Sequence, residues 1–232
     1  MPGDGKVCSF DCIYCECGFN KDFKPRSKRP TRQEVKEALA KVLMQRHSEG
    51  LQLDVITFAG NGEPTAHPDF ADIINDTIEI RNKYFPEAKI SVLSNATFIN
   101  RTDVHDALMK VDNNIQKLDT VNALYINKVD RPTSLSYDVD EIIAHLKRFN
   151  GHVIIQTMFM KGIYNGESVD NTDETFILPW LSALKEIRPQ QVMIYTIDRE
   201  TPAQGLKKAE PSVLDSIKLM VEELGIPCSA SY

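Results

Sequence analysis

The sequence predicts an α/β fold: one domain over residues 1–232, built as a partial (β/α)6 barrel of the TIM type. Three observations predict it. Short β-branched runs alternate with amphipathic stretches along the chain. Strand starts recur every ~35 residues, the size of one βα unit. The 232 residues, 42% of them hydrophobic, supply one sizeable core but fall short of the ~250 residues of an eight-unit barrel.

Each element has its own signal. Thr31-x-x-Glu34 is a capping box, followed by Val35, Leu39, Val42 and Leu43 at helical spacing, with Gly50 just beyond the end. DVITF (54–58) is a short run suited to a buried parallel strand. A helix from Pro68 to Tyr84 leads to a strand at KISVLS, a helix after Thr102 and a strand near IQKLD. Then come a helix after Ser136, a strand at HVIIQTMFM, a helix after Thr172, a strand at QVMIYTI and a last helix from Glu210 to Leu224. That gives five strands and six helices.

Chemistry concentrates near the start, where VCSFDCIYCECG places Cys8, Cys12, Cys15 and Cys17 in ten residues; the fifth cysteine, Cys228, stands apart and reads as structural. No segment resembles an export signal and no apolar run is long enough to span a membrane, so a cytoplasmic protein is expected. In that reducing compartment clustered thiols point to metal or redox chemistry rather than disulfides. Three readings stay open on spacing alone. An all-cysteine zinc site would use four thiols, although Cys15 and Cys17 are one residue apart and closed sites draw on wider pairs. A set of inert buried cysteines is the second. The third takes Cys8, Cys12 and Cys15 as three ligands of a four-iron cluster whose fourth iron has no protein thiolate.

At these residues the sequence resembles the radical S-adenosylmethionine (AdoMet) superfamily, whose C-x3-C-x-aromatic-C signature is met by Cys8, Cys12, Tyr14 and Cys15. The resemblance implies a [4Fe-4S] cluster on those three cysteines, with Tyr14 at the cofactor site. It also implies AdoMet on the fourth iron and reductive cleavage to methionine and a 5′-deoxyadenosyl radical that abstracts hydrogen from a substrate. An electron donor such as flavodoxin or ferredoxin is implied as well. The family places a strand before the cysteine loop. MPGDGKV is short and rich in turn formers, so this strand is expected to be rudimentary or truncated. Cys17 lies outside the signature and reads as a loop cysteine near the cluster.

Parallel βα folds bind ligands at the carboxyl ends of their strands. After DVITF stands GNGEP: Gly60 and Gly62 permit close backbone approach, and Glu63 can accept hydrogen bonds from an ammonium. The alternative is a tight turn with a solvated Glu. The motif is similar to the Gly-Gly-Glu-Pro of the superfamily, which holds the methionine amino group of AdoMet; Asn61 shifts the pattern to GNGEP, with Gly62, Glu63 and Pro64 retained. LSNAT supplies Ser94 and Asn95, similarly expected at the ribose or carboxylate of AdoMet. Asp119 is expected near the ribose or substrate, and Gln156, an amide inside an apolar strand, is expected to face the barrel interior. Tyr195, Asp198 and Arg199, at the last strand's end, are assigned to substrate contact.

The segments GKVCSFDCIYCECG, FAGNGEPTAHPDF, KLDT, VDRP and YTIDRETP together resemble the Fe–S oxidoreductase branch related to wyosine-type tRNA-modifying enzymes. A shared fold leaves the substrate free to vary, so a small molecule, an RNA or a protein glycyl loop all remain open. The net charge of −6 disfavours broad nucleic-acid binding, yet Lys21 to Arg32 carries six basic residues and one acid. Such a loop either guides phosphates or is simply solvated. Two other functions are consistent with the chain: an activase for a glycyl-radical partner enzyme, and a non-enzymatic zinc-binding module. His47, His67, His105, His145 and His152 are scattered and form no ligand pair. Only His67 lies near the proposed site, as a helix-start residue.

Overall fold

The computed structural model describes residues 2–232. The first half runs α1 (Arg32–Ser48), β1 (Val55–Phe58), a 3-10 turn (Pro64–Ala66), α2 (Phe70–Tyr84), β2 (Lys89–Ser94), α3 (Thr102–Leu108), β3 (Asn113–Lys117) and α4 (Ala123–Val129). The second half continues α5 (Val139–Lys147), β4 (Ile154–Met158), β5 (Met160–Tyr164), β6 (Glu167–Ser168), α6 (Glu174–Ile187), β7 (Gln191–Tyr195), β8 (Leu206–Lys208), α7 (Pro211–Glu222) and β9 (Cys228–Ser231). Six strands form one parallel sheet in the order β1-β2-β3-β4-β7-β9. Every crossover carries at least one helix, so the α/β partial-barrel class holds.

Alternation along each strand divides the sheet's two faces. Ile90, Val92, Ile155, Val192 and Ile194 point to the helices and join Phe70, Leu108, Leu146, Trp180, Leu184 and Ile217 in the core. The intervening positions face the barrel interior: Lys117 is in register with Gln156, and Gln156 with Met193. The α1 capping box is present, with Thr31 N–H donating to Glu34 at 2.7 Å and Glu34 N–H to Thr31 Oγ1 at 3.3 Å. On the neighbouring helix, buried Asp76 accepts from Arg32 at 2.6 and 3.0 Å and from Lys36 at 2.9 Å, tying α2 to α1.

The structure corrects the expected elements in three places. A sixth strand, β9, contains Cys228; CSAS has no apolar alternation to mark it, and its pairing with β7 makes it a strand. The seventh helix, α4, has seven residues and starts where Asn122 accepts from Tyr125 N–H at 2.9 Å. HVIIQTMFM is two strands: the chain turns at Phe159, and β5 leaves the parallel sheet to pair antiparallel with β6 and β8. Before the cysteines, among the described residues, Val7 alone is bridged, in parallel to Gly62, in keeping with the rudimentary strand expected there.

Candidate active site

The segment from Val7 to Gly18 is irregular, and hydrogen bonds to distant loops hold it in place. Val7 N–H donates to the Asn61 carbonyl at 3.0 Å, and Glu63 N–H donates to the Val7 carbonyl at 2.9 Å. A Cβ on Gly62 would lie 1.8 Å from that carbonyl oxygen, and its φ is +132°, so only glycine allows this approach. Further along, Ile13 N–H donates to Val129, Asp11 N–H to Asp130, and Ala203 N–H to Ile13. The cysteine loop is thereby fixed across the strand ends.

A cavity of about 360 Å³ opens there, lined by Cys8, Tyr14, Cys15, Gly60, Gly62, Glu63, Ser94, Asn95, Gln156 and Tyr195, among others. Its volume is of ligand-pocket size. Glu63 is 1% exposed. One of its oxygens accepts from Thr65 N–H at 2.9 Å and Thr65 Oγ1 at 2.5 Å, and the other from Asn95 N–H at 2.6 Å. Burial raises its pKa, against the pull of these donors. Asn95 Nδ2 donates to Ser9 Oγ at 2.9 Å and reaches Cys8 Sγ at 3.6 Å, linking the β2 end to the first cysteine. Ser94 Oγ accepts from Ala96 N–H at 3.1 Å and shapes that turn.

Cys12 is 9% exposed, packed with Phe10, Ile13 and Tyr14, and unlike Cys8 and Cys15 it does not line the cavity. Burial pushes the Cys8 thiol up to about 11 and the Cys12 thiol well above its ordinary range, so a neighbouring cation or metal is what would favour their thiolates. No three Cys, His, Asp or Glu side chains among the described residues are gathered closely enough for a single metal ion. Ligands of a four-iron cluster each hold a different iron, so they need not converge on one point. Soft thiolates around a pocket beside the buried carboxylate of Glu63 fit such a cluster with an amino-acid-bearing cofactor at its side.

Asp119 does not line the cavity. It lies behind the wall, 5% exposed, accepting from Met158 N–H at 3.0 Å and bonded to Tyr14 Oη and Lys117 Nζ. Lys117, which sequence reasoning did not single out, lines the cavity and is the hub. Its ammonium also meets Asp130 at 2.9 Å and lies 4.9 Å from the Tyr14 ring centroid. Burial alone would lower the Lys117 pKa; Asp119 and Asp130 outweigh it and raise it well above normal. Asp130 is pushed up to about 6 by burial, opposed by Lys117. A charged residue ending a buried strand was the available signal.

The remaining expected residues divide. Asn61 lies outside this cavity, beside Cys17. Tyr195, Asp198 and Arg199 line the cavity, but Asp198 is paired with Lys208 at 3.2 Å and Arg199 with Glu16 at 2.8 Å. His67 serves structure, its ring bonded to the Pro30 carbonyl at 2.8 Å and to Asp69 N–H at 3.0 Å. In the basic stretch, Arg29 donates to the Ala66 carbonyl at 3.1 Å and Arg32 is taken up by Asp72 and Asp76.

The radical SAM superfamily model matches residues 4–176, which contain the cysteine loop and the first four strands of the sheet. The chain belongs to the radical SAM superfamily. That superfamily is one of enzymes that work with AdoMet and an iron–sulfur cluster and need a substrate and an electron source, and membership of it speaks against a non-enzymatic zinc module. Among curated proteins it is 27% identical over 214 residues to a UPF0026 protein of Helicobacter pylori, covering 90% of this chain and 64% of that protein. The radical SAM chain thus spans under two thirds of that relative's length. Its fold resembles a radical SAM methyltransferase from Sphaerobacter thermophilus, with TM-score 0.70 and 17% identity over 98% of this chain and 64% of that one. It also resembles TYW1 with a lysine-pyruvate adduct bound, with TM-score 0.63 and 14% identity over 96% of this chain and 72% of that one. No helix among the described residues is long and apolar enough to cross a membrane.

Proposed function

We propose that this radical SAM enzyme holds a [4Fe-4S] cluster through Cys8, Cys12 and Cys15 and AdoMet in the adjoining cavity, and removes a hydrogen atom from a substrate entering beside Tyr195. The convergence of Cys8, Tyr14 and Cys15 with Gly60–Glu63 and Ser94–Asn95 around one cavity carries the reading. When bound, the cluster supplies the electron that cleaves the sulfonium of AdoMet to methionine and a hydrogen-abstracting 5′-deoxyadenosyl radical.

The chain's own residues bind and orient. Glu63 presents a buried carboxylate already aligned by Thr65 and Asn95, so it accepts from an ammonium without reorganising. Gly60, where a Cβ would meet no atom within 4 Å, leaves its backbone open to the cavity. Asn95 fixes the Cys8 sulfur by its amide, and Ser94 holds the turn that aims Asn95. Asp119 is a positioning residue: with Lys117 and Asp130 it grips Tyr14, and Tyr14 sits between Cys12 and Cys15. Gln156 and Tyr195 present polar groups from the interior face, and flavodoxin or ferredoxin fits the electron supply.

Anaerobic reconstitution with iron and sulfide, then dithionite and AdoMet, tests the proposal. The expected product is 5′-deoxyadenosine, lost in each of the Cys8, Cys12 and Cys15→Ala variants. A reconstituted protein that binds no cluster refutes it.

A further inference from the structure

Cys17 is not a bystander in the loop. The Cys15–Gly18 turn is closed by Gly18 N–H donating to the Cys15 carbonyl at 2.8 Å, and it folds the chain back so that Cys17 shares the cavity with Cys8 and Cys15. Buried Lys6 donates to the Gly18 carbonyl at 2.7 Å, and the Phe23 ring lies where a Gly18 Cβ would stand, so the turn is held from both sides. Cys17 lines the cavity two positions after Cys15. It also points at the Gly60 carbonyl at 3.9 Å and at Asn61 Oδ1 at 3.8 Å. Gly60 belongs to the GNGEP turn whose Glu63 is proposed above to accept the AdoMet ammonium, so on that reading Cys17 stands at the methionine end of the site, close in sequence to the cluster ligand Cys15.

From this placement we infer that Cys17 is a reversible fourth ligand of the iron–sulfur cluster, occupying the open iron when AdoMet is absent and giving it up when AdoMet binds. The inference rests on the three-cysteine assignment above. The one-residue gap between Cys15 and Cys17 is awkward for two ligands of one ion, but here the two thiolates hold different irons. The exchange balances without an oxidant or reductant. On ligation the Cys17 thiol releases its proton to solvent. On AdoMet binding the Cys17–iron bond breaks, and the freed thiolate takes up the proton that the AdoMet ammonium gives up as its nitrogen goes to iron. In this role Cys17 protects the iron that has no other protein ligand.

Two measurements on reconstituted protein test this. In wild type, iodoacetamide labelling read by peptide mass spectrometry should modify Cys17 readily in the cluster-free protein. Labelling should be about tenfold slower once the cluster is loaded, and restored to the cluster-free rate when AdoMet is added, because sulfur bound to iron does not react whereas the released side chain reacts as it does without cluster. In Cys17→Ala, the low-temperature EPR signal of the reduced cluster should differ from wild type without AdoMet and converge with it when AdoMet is present. Labelling of Cys17 at the same rate with and without cluster, or superimposable EPR signals in the absence of AdoMet, overturns the inference alone. A wild-type protein that takes up no cluster overturns it together with the assignment beneath it. Should Cys17→Ala fail to load a cluster, the wild-type labelling series decides.

Discussion

Replacing Lys117 with Met tests the buried charge network most directly. Met matches the length of the lysine stem and packs adaptably, so little volume is lost. What remains is two carboxylates, with Asp119 and Asp130 side chains only 1% and 3% exposed, and no cation between them. Breaking a buried pair by removing one partner costs about 3–5 kcal/mol, a large share of the about 5–15 kcal/mol that holds a domain folded. Protonation limits the loss. Asp130 is already pushed up to about 6 by burial, and removing Lys117 moves it higher. A carboxyl whose folded pKa is raised takes up protons on folding, so its stability is fullest at low pH and lost as pH rises through that pKa. The Lys117→Met penalty should therefore be near the upper figure at pH 8 and clearly smaller at pH 5.5. Trp180, the single tryptophan, is buried and donates to the Leu118 carbonyl next to Lys117 at 3.0 Å, so its fluorescence in urea titrations of cluster-free protein reports the right region. A loss below ~1 kcal/mol, or the same loss at both pH values, would refute the claim that Lys117 neutralises buried charge.

Four other outcomes are expected. Cys12→Ala should abolish the iron–sulfur absorbance near ~400 nm after reconstitution, read by spectrophotometry and iron content. Glu63→Gln should keep the cluster and weaken AdoMet binding ~10–100-fold by equilibrium dialysis, the worth of one charge-assisted hydrogen bond. Gly62→Ala should lower thermal stability more than Gly60→Ala, because both glycines have positive φ but only Gly62 meets the Val7 carbonyl. Asp76 is held down to about 2 by hydrogen bonding to Arg32 and Lys36, so the stability it contributes is present above 3.8 and lost as pH falls through about 2. Asp76→Asn should flatten that acid limb of the stability–pH curve.

Local pattern made much of this protein legible. The β-branched runs placed five strands of the sheet, and the rule that ligands sit at strand ends placed Glu63, Ser94 and Asn95 at the cavity before any coordinate. Elements with a weak local signal escaped: β9 is four small or polar residues whose strand character comes from β7, and α4 is too short for periodicity. Lys117 escaped for another reason. Its meaning depends on Asp130, thirteen positions later, and on Tyr14, more than a hundred positions earlier, and no local window contains all three.

The same distinction explains how the site is stabilised. Few of its groups are placed by a helix or strand alone; the cysteine loop is stitched to the sheet by contacts far apart in sequence. Val7 joins Gly62, Ser9 Oγ meets Thr97 Oγ1 at 2.6 Å, Ile13 joins Val129 and Ala203, and Tyr14 joins Lys117 and Asp119. Each stitch ties the loop to the end of a different strand or to the helix that follows it, so the loop reads the relative positions of β1, β2, β3 and β7 together. A sheet distorted at any one of these ends would misplace the cysteines without altering their spacing in sequence. On the proposed reading the C-x3-C-x2-C pattern is then necessary for a cluster and insufficient for it, because the partial barrel has to hold the cysteine loop and the Glu63 carboxylate at one cavity.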